Sequence, residues 1–478
     1  MEVRYYICKH CGNIVEKVKD KGVPVICCGE PMQELKAGVT DAAVEKHVPV
    51  YTIEGSHVHV VVGETKHPMK EELSIDIIGL AGACSYALDC IEAELVNIKN
   101  KHGKRVAYIS IRMAEYWKIQ GDELQDLAMC ALLHDNALTQ YISEELKKDS
   151  VINCKKDLSE KKTNLHCIYG EKNITKIPFK TDVSNVILYH HEHADGTGPF
   201  QKKWNEIPLF ARIIHLADTI DIIGNNMETG NNSWNFICQF LLKNKDGLFD
   251  SECVNAFFHA FTHFESFTCL SDNSFEMKLW EIIPRQKQVF DWKTCKNVAD
   301  FFAKIVDYKS SFTSRHSIGV AEKAALFAQY IGFDSINVQK MYLAGALHDI
   351  GKMAVDNEIL EKPDKLTDDE FSKMKNHAGY TYIILSEVED FEEIRDWASF
   401  HHEKLNGKGY PFGKTAAELN EPERIMACID IYQALTEDRP YKKGLSHEKT
   451  CEMLDDMAQK GFIDSDISKK IRECFGGI

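Results

Sequence analysis

Histidines spaced twice at the same intervals constrain this chain more than anything else in it. His102 precedes His134 by 32 residues, and His316 precedes His348 by 32. Each later histidine is followed at once by an aspartate, Asp135 in LLHDNAL and Asp349 in ALHDIGK. His166 precedes the pair His190–His191 by 24 residues, and His377 precedes His401–His402 by 24. Asp218 follows its pair by 27 residues and Asp430 follows its pair by 28. GLFDSECV begins at Gly247 and GFIDSDIS at Gly461, an offset of 214 that equals the offset from His102 to His316. A lone histidine is most often a core or surface residue, but five histidines and two aspartates do not recur at one spacing by chance. The chain therefore carries an internal duplication of a unit of roughly 180 residues.

Five imidazoles and two carboxylates exceed one tetrahedral site. They suit two metal ions sharing a bridging carboxylate, with coordination positions left for water and substrate. No thiolate belongs to the set, so iron, manganese and zinc are all acceptable ions for each copy. A dinuclear site of this kind activates water near neutral pH and clamps the oxygens of a phosphodiester. It still needs a cation for the nonbridging phosphate oxygens. In the second copy Lys352 follows Asp349 at the third position, and Gly351 lets the chain turn so that Lys352 faces the metals. The aligned residues in the first copy are Ala137 and Leu138.

Apolar residues at helical spacing surround these histidines. Val106, Ile109, Met113 and Tyr116 predict a helix closed by Gly121, and Val320, Ala324, Phe327 and Ile331 predict one closed by Gly332. Ahead of them the pattern differs. Cys8, Cys11, Cys27 and Cys28 read as a C-x2-C pair, fifteen residues, then C-C. Four thiolates from two short turns surround one tetrahedral iron or zinc. SHVHVVVG alternates like a strand, placing His57 and His59 on its exposed face. Length alone, 478 residues, predicts two to four domains.

CKHCGN and the adjacent cysteines resemble desulforedoxin, the iron module at the front of desulfoferrodoxins. The resemblance continues through CCGEPMQELKAGVTDAAVEKHVPVY and HVHVVVGETKHPM, where only His47 and His67 fall on the superoxide reductase ligand motif. Leu73 stands where the next ligand belongs, so the resemblance implies one four-cysteine iron site and an incomplete second centre. The C-terminal copy resembles the HD-GYP phosphodiesterases that open cyclic di-GMP. DYKSSFTSRHSIGVAEKA, LHDIGKMAV, HHEKLNGKGYPFG and IDIYQALTEDRPYKKG carry that likeness in order. The resemblance implies that one metal takes His316, His348, Asp349 and Asp430, and the other Asp349, His377, His401 and His402. It implies that Lys352 steadies the scissile phosphate, and that Gly407, Gly409, Tyr410, Pro411 and Arg439 face the substrate. Asn406 replaces the family's commoner Asp. Phe312 stands where some members carry a third-metal Glu, so two metals are expected. The first copy keeps His102, His134, Asp135, His166, His190, His191 and Asp218, and resembles a divergent HD domain that still holds metal. It lacks the lysine, reads Gly198-Pro199-Phe200 in place of the GYP segment, and has Asn136 where the second copy has Ile350.

The expected fold is multidomain: a small β-rich N-terminal metal-binding module, then two mainly α-helical HD-type domains. The expected boundaries are an iron module over 1–36, a partial superoxide-reductase-like segment over 37–72, a divergent HD domain over 73–265, a connector over 266–298 and the HD-GYP domain over 299–478. His259 and His263, four apart on an aromatic-rich stretch, read as packing residues. Net charge is −16, a diffuse acidity that excludes nonspecific nucleic-acid binding. No secretory signal and no apolar run of about 18 residues is present, so a cytoplasmic protein without membrane segments is expected. The function expected is metal-dependent hydrolysis of a cyclic dinucleotide, with the N-terminal iron as redox regulator. A homo-oligomer and a redox partner fit that reading. Two alternatives stand beside it: a redox or oxygen sensor built on the iron sites, and an HD-type nucleotide phosphohydrolase.

Overall fold

Residues 73–96, 101–144, 164–225, 231–264, 270, 274–309, 316–362, 364–438 and 443–476 are described by the computed structural model, with the backbone of seven short strands before residue 63. They fall into two compact units, Met1–Glu71 and Glu72–Ile478. In the first unit Arg4–Ile7 pairs antiparallel with both Ile14–Lys17 and Gln33–Leu35, Tyr5 facing Glu16 on one side and Leu35 on the other. Ile26–Cys27 pairs with Glu30–Pro31, and Pro49–Glu54 with His57–Val62. Cys8, Cys11, Cys28, His47 and His67, and the side chain of Cys27, lie outside the described residues.

The second unit is helical, and its sequence marks the helix starts. Asp291 accepts the N–H of Thr294 at 2.8 Å, and Asp334 that of Asn337 at 2.7 Å. Thr367 with Glu370, and Asn420 with Glu423, close reciprocal capping boxes on the helices Asp368–Leu385 and Glu421–Thr436. Such caps satisfy backbone donors that a helix start leaves open. Val106, Ile109 and Met113 are fully buried on His102–Ala114, as are Val320, Ala324 and Phe327 on His316–Tyr330. Gly332 lies just past the latter helix with φ +90°. The first copy departs from expectation here. Its helix stops at Ala114, Tyr116 is exposed on a short 3-10 turn, and Gly121 opens the next helix, Gly121–Leu132, with φ +60°.

The duplication extends to how each copy begins. Strand Leu73–Ile75 leads into the helix Ile77–Val96, and strand Gln288–Phe290 leads into Trp292–Asp307. Asp76 accepts the N–H of Gly79 as Asp291 accepts that of Thr294, an offset of 215 residues. The two strands pair antiparallel with Ser74 opposite Val289. The Trp292–Asp307 helix runs across residues 298 and 299.

The copies reach across one another. Ile77–Val96 packs on the turn Ile350–Ala354 and on Asp368–Leu385 of the second copy. Trp292–Asp307 reaches the first, where Ile305 accepts from Thr139 Oγ1 at 3.3 Å and Lys304 Nζ donates to Asn173 at 2.8 Å. Lys104, buried, donates to Glu387 at 2.6 Å and to Glu276 at 3.3 Å. A buried ammonium is tolerated only when paired in this way. One apolar cluster, from Leu73 to Phe475, runs through both copies. Among the described residues no helix is long and apolar enough to cross a membrane. His259 packs edge-on against Tyr116, in keeping with a packing role.

Candidate metal centres

The same kinds of element deliver the ligands in each copy. His102 and His316 open the helices His102–Ala114 and His316–Tyr330. His134 and His348 follow the ends of Gly121–Leu132 and Ser335–Leu347, with Asp135 and Asp349 next in the chain. His166 and His377 sit on Asn164–Ile174 and Asp368–Leu385, and Asp218 and Asp430 on Leu209–Asn225 and Glu421–Thr436. His401–His402 follow Glu392–Ser399, and His190–His191 occupy the matching turn.

These side chains converge into two cages of the same shape. Ring centroids of His102 and His134 are 5.3 Å apart, as are those of His316 and His348. His166–His190 is 5.4 Å against 5.5 Å for His377–His401, and His166–His191 is 5.1 Å, as is His377–His402. His190–His191 is 4.0 Å against 4.1 Å for His401–His402. Asp349 lies between the two halves of its cage, Oδ2 3.1 Å from His348 Nε2 and Oδ1 3.5 Å from His377 Nε2. Asp135 does the same, 3.5 Å from His134 and 3.3 Å from His166. Asp430 Oδ1 is 3.1 Å from His316 Nε2, and Asp218 Oδ1 is 3.2 Å from His102 Nε2.

The imidazoles are aimed by what holds their other nitrogen. Nδ1 of His348, His377 and His401 donates to the carbonyl three residues back, Gly345, Met374 and Ala398, at 2.7, 2.6 and 2.6 Å. His134 and His190 donate likewise to Ala131 and Ile187 at 2.9 and 2.6 Å. The proton is thereby on Nδ1 and the Nε2 lone pair faces the cage. Burial pushes His377 and His401 below the ordinary imidazole range and His402 down to about 3, so each offers a neutral ligand. Burial alone would raise Asp349; the adjacent His348 and Lys352 outweigh it and hold the carboxyl well below its usual range.

The fit to metal is tested by atoms left over. Nε2 of His134 and His348 and Oδ1 of Asp135 and Asp349, matched between the copies, are buried without a hydrogen-bond partner, as is Nε2 of His190 in the first. Buried acceptors without donors are rare, and a cation satisfies all of them at once. The donors fit a pair of divalent ions in each cage.

Around the cages the copies diverge. Lys352 Nζ stands 2.5 Å from Asp349 Oδ2 with part of its side chain open to solvent. Gly351 approaches the His377 helix so closely that an added Cβ would lie 2.0 Å from the His377 carbonyl oxygen. The first copy has Ala137 there, and the chain continues into the helix Leu138–Glu144. Past the histidine pair, Glu403 accepts N–H bonds from Phe412, Gly413 and Lys414 at 2.7, 3.0 and 3.0 Å. Glu192 accepts those of Phe200 and Lys202. Gly407 and Gly196 take positive φ of +73° and +84°. A Cβ on Gly409 would meet Glu403 Cα at 2.4 Å, and one on Gly198 would meet Glu192 Cα at 2.8 Å. The two loops thus share one frame. Phe412 packs on Phe400 at 5.7 Å and Phe200 on Tyr189 at 5.8 Å, so the residue missing from the first loop is the counterpart of Tyr410. Tyr410 lies 4.7 Å from the His402 ring and precedes a cis peptide to Pro411. Arg439 lies outside the described residues.

Five participants were not singled out from sequence. Glu192 and Glu403 clamp the loops, and the repeated HHE triplet is the signal that could have found them. Asp221 holds His102 Nδ1 at 2.7 Å and is itself held by Arg105, while Glu437 holds His316 Nδ1 at 3.1 Å. Cys167 brings a sulfur beside a set that the sequence spacing read as free of thiols. Its sulfur lies 3.5 Å from His166 Nε2, and it clusters with His166, His190 and His191, whereas Ala378 stands at that place in the second copy.

A family model described as an HD domain matches residues 90–226 and 300–467. The chain is 27% identical over 423 residues to the 3'3'-cGAMP-specific phosphodiesterase 1 of Vibrio cholerae, covering 85% of this chain and 93% of that one. It is 40% identical over 134 residues to a cyclic di-GMP phosphodiesterase of Pseudomonas aeruginosa, 28% of this chain and 32% of that one. The crystal structure of a cyclic GMP-AMP specific phosphodiesterase of V. cholerae superposes with a TM-score of 0.60 at 23% identity, covering 85% of this chain and 99% of that chain, which shows a shared fold.

Proposed function

The chain belongs to the HD-domain family, and from that premise we propose that it is a metal-dependent phosphodiesterase that opens a cyclic dinucleotide at the cage of its second copy. The observation that carries this reading is the conjunction, in that copy alone, of a complete His–Asp cage with Lys352 beside Asp349 and Tyr410 beside His402. His316, His348, Asp349, His377, His401, His402 and Asp430 would hold two divalent metals there, which would supply an activated water and a clamp on the phosphodiester oxygens. Lys352 presents a fixed positive charge to a nonbridging oxygen as negative charge develops on it. Asp349 orients Lys352, and Glu403 fixes the loop that carries Tyr410 against His402. Iron, manganese and zinc all suit the nitrogen and oxygen donors of this cage.

Cyclic di-GMP and 3'3'-cGAMP are the two substrates that this reading offers. The sequence likeness of the C-terminal copy favours the first, and the full-length relative of V. cholerae favours the second. Anaerobic incubation of the purified chain with Fe(II) or Mn(II) and each dinucleotide, followed by product chromatography, tests the reading. Hydrolysis of at least one is expected, and failure to open either sinks it.

Redox regulation by a four-cysteine iron site over residues 1–36 belongs to the same proposal. It rests on the presence of those cysteines and the second-copy cage in one chain. Replacing Cys8 and Cys11 by serine should abolish any dependence of turnover on redox poise. Unchanged dependence would remove the regulator from the account.

A further inference from the structure

We infer that one metal position of the first copy is a thiolate–imidazole site, in which Cys167 joins His166, His190 and His191 around a single zinc or ferrous ion. The inference rests on the reading that the first copy binds metal, and it is independent of where turnover occurs. All four ligand atoms lie within 4.8 Å of one another. Donors around a tetrahedral ion with Zn–N and Zn–S bonds of ordinary length are separated by about 3.3–3.8 Å, so the cluster needs only a small contraction. The Cys167 sulfur and His166 Nε2 are already 3.5 Å apart. An independent feature points to an ion at the same spot. His190 is fully buried, its Nδ1 is committed to the Ile187 carbonyl, and its Nε2 faces the cluster without a hydrogen-bond partner.

The chemistry separates this position from its counterpart. His377, His401 and His402 offer three nitrogens beside the shared Asp349 carboxylate, with Ala378 in the place of the thiol, so the counterpart has one protein donor fewer. Cys167 supplies that donor in the first copy. A thiolate favours zinc or ferrous iron over manganese or magnesium. Cys167 with the three imidazoles already makes four protein donors, the pattern of a structural ion, and Asp135 Oδ1 stands 3.3 Å from His166 Nε2 on the side of the other metal position. The copy that has no lysine in its turn and no tyrosine in its loop thus gains a ligand that blocks access to its metal.

Cobalt(II) reports thiolate ligation through a near-ultraviolet sulfur-to-metal charge-transfer band. The full chain carrying Cys8→Ser, Cys11→Ser, Cys27→Ser and Cys28→Ser should show that band when loaded with cobalt. Adding Cys167→Ala should abolish it, while adding Cys253→Ala, at a buried cysteine outside the cluster, should leave it in place. With the N-terminal cysteines intact, Cys167→Ala should remove one thiolate's share of five, which keeps the test open if the quadruple variant misfolds. Cobalt bound at the first copy without the band, or a band that survives Cys167→Ala, would overturn the inference alone. A cobalt count unchanged by His166→Ala would overturn the underlying metal reading as well.

Discussion

The first and second copies share a cage and differ in everything that faces into it. Equivalent ring centroids agree to within about an ångström, the loops hang from matched glutamates, and the close-packed glycines Gly198 and Gly409 correspond. Against that, Lys352 is matched by Leu138, Ala378 by Cys167, and Tyr410 by nothing. The difference teaches that ligand cage and substrate-facing groups are held by different forces. Most cage residues are buried, with Asp135, His191 and His402 half-buried, and removing a buried one leaves its neighbours as orphaned polar groups inside the core, a cost of about 1–3 kcal/mol each. Lys352 and Tyr410 are partly exposed, so their counterparts could be lost without undoing the fold.

The sharpest way to break this comparison is Lys352→Met. Removing one preorganised charge from a developing oxyanion costs on the order of 100–1,000-fold in kcat. Metal content should stay unchanged, and a variant that loses metal would mean that Lys352 belongs to the cage instead. Next in size are the groups behind the first histidine of each cage. Glu437→Gln should weaken metal binding in the second copy by about 10–100-fold, and Asp221→Asn should do so in the first. Chelator competition reads both, and an effect that crosses between copies would show that the cages are not separate. Gly198→Ala and Gly409→Ala should each lower stability by about 1–3 kcal/mol, because the new Cβ meets a neighbouring backbone that has to move. Thermal unfolding should show comparable losses, and a loss confined to one copy would mean the loop frames differ. The smallest effect belongs to Tyr410→Ala. Loss of its ring contact with His402, worth about 0.5–1.5 kcal/mol, should lower kcat/KM by about three- to tenfold.

The cage was legible in the sequence because histidine and aspartate repeat there at intervals no helical pattern imposes. His102 to Asp218 and His316 to Asp430 are brought together, as the spacing required, from helices far apart in the chain. Cys167 was not legible for a geometric reason. Neighbours on a helix point about 100° apart, so a residue beside a ligand is not expected to share its site. Asp221 and Glu437 were hidden because acidic residues are common, and only folding shows which ones face an imidazole, whereas the repeated HHE triplet already marked Glu192 and Glu403. The beginning of the second copy was hidden too. Its three-residue strand Gln288–Phe290 makes sense only beside Leu73–Ile75, a partner more than two hundred residues away. The desulforedoxin-like cysteines stay a sequence reading, since their side chains lie outside the described residues.

The central claim is that both copies hold metal but the second alone turns over. The most direct measurement compares two double variants of the full chain, His348→Ala with Asp349→Ala and His134→Ala with Asp135→Ala, for metal content and for hydrolysis of cyclic di-GMP and 3'3'-cGAMP. The account predicts that both variants lose metal from one cage. Hydrolysis should fall by at least about 1,000-fold in the first and by no more than a few-fold in the second, since the dinuclear centre carries the water activation and the phosphate clamp. Equal losses of hydrolysis in the two variants, or activity that follows the first copy, would contradict it.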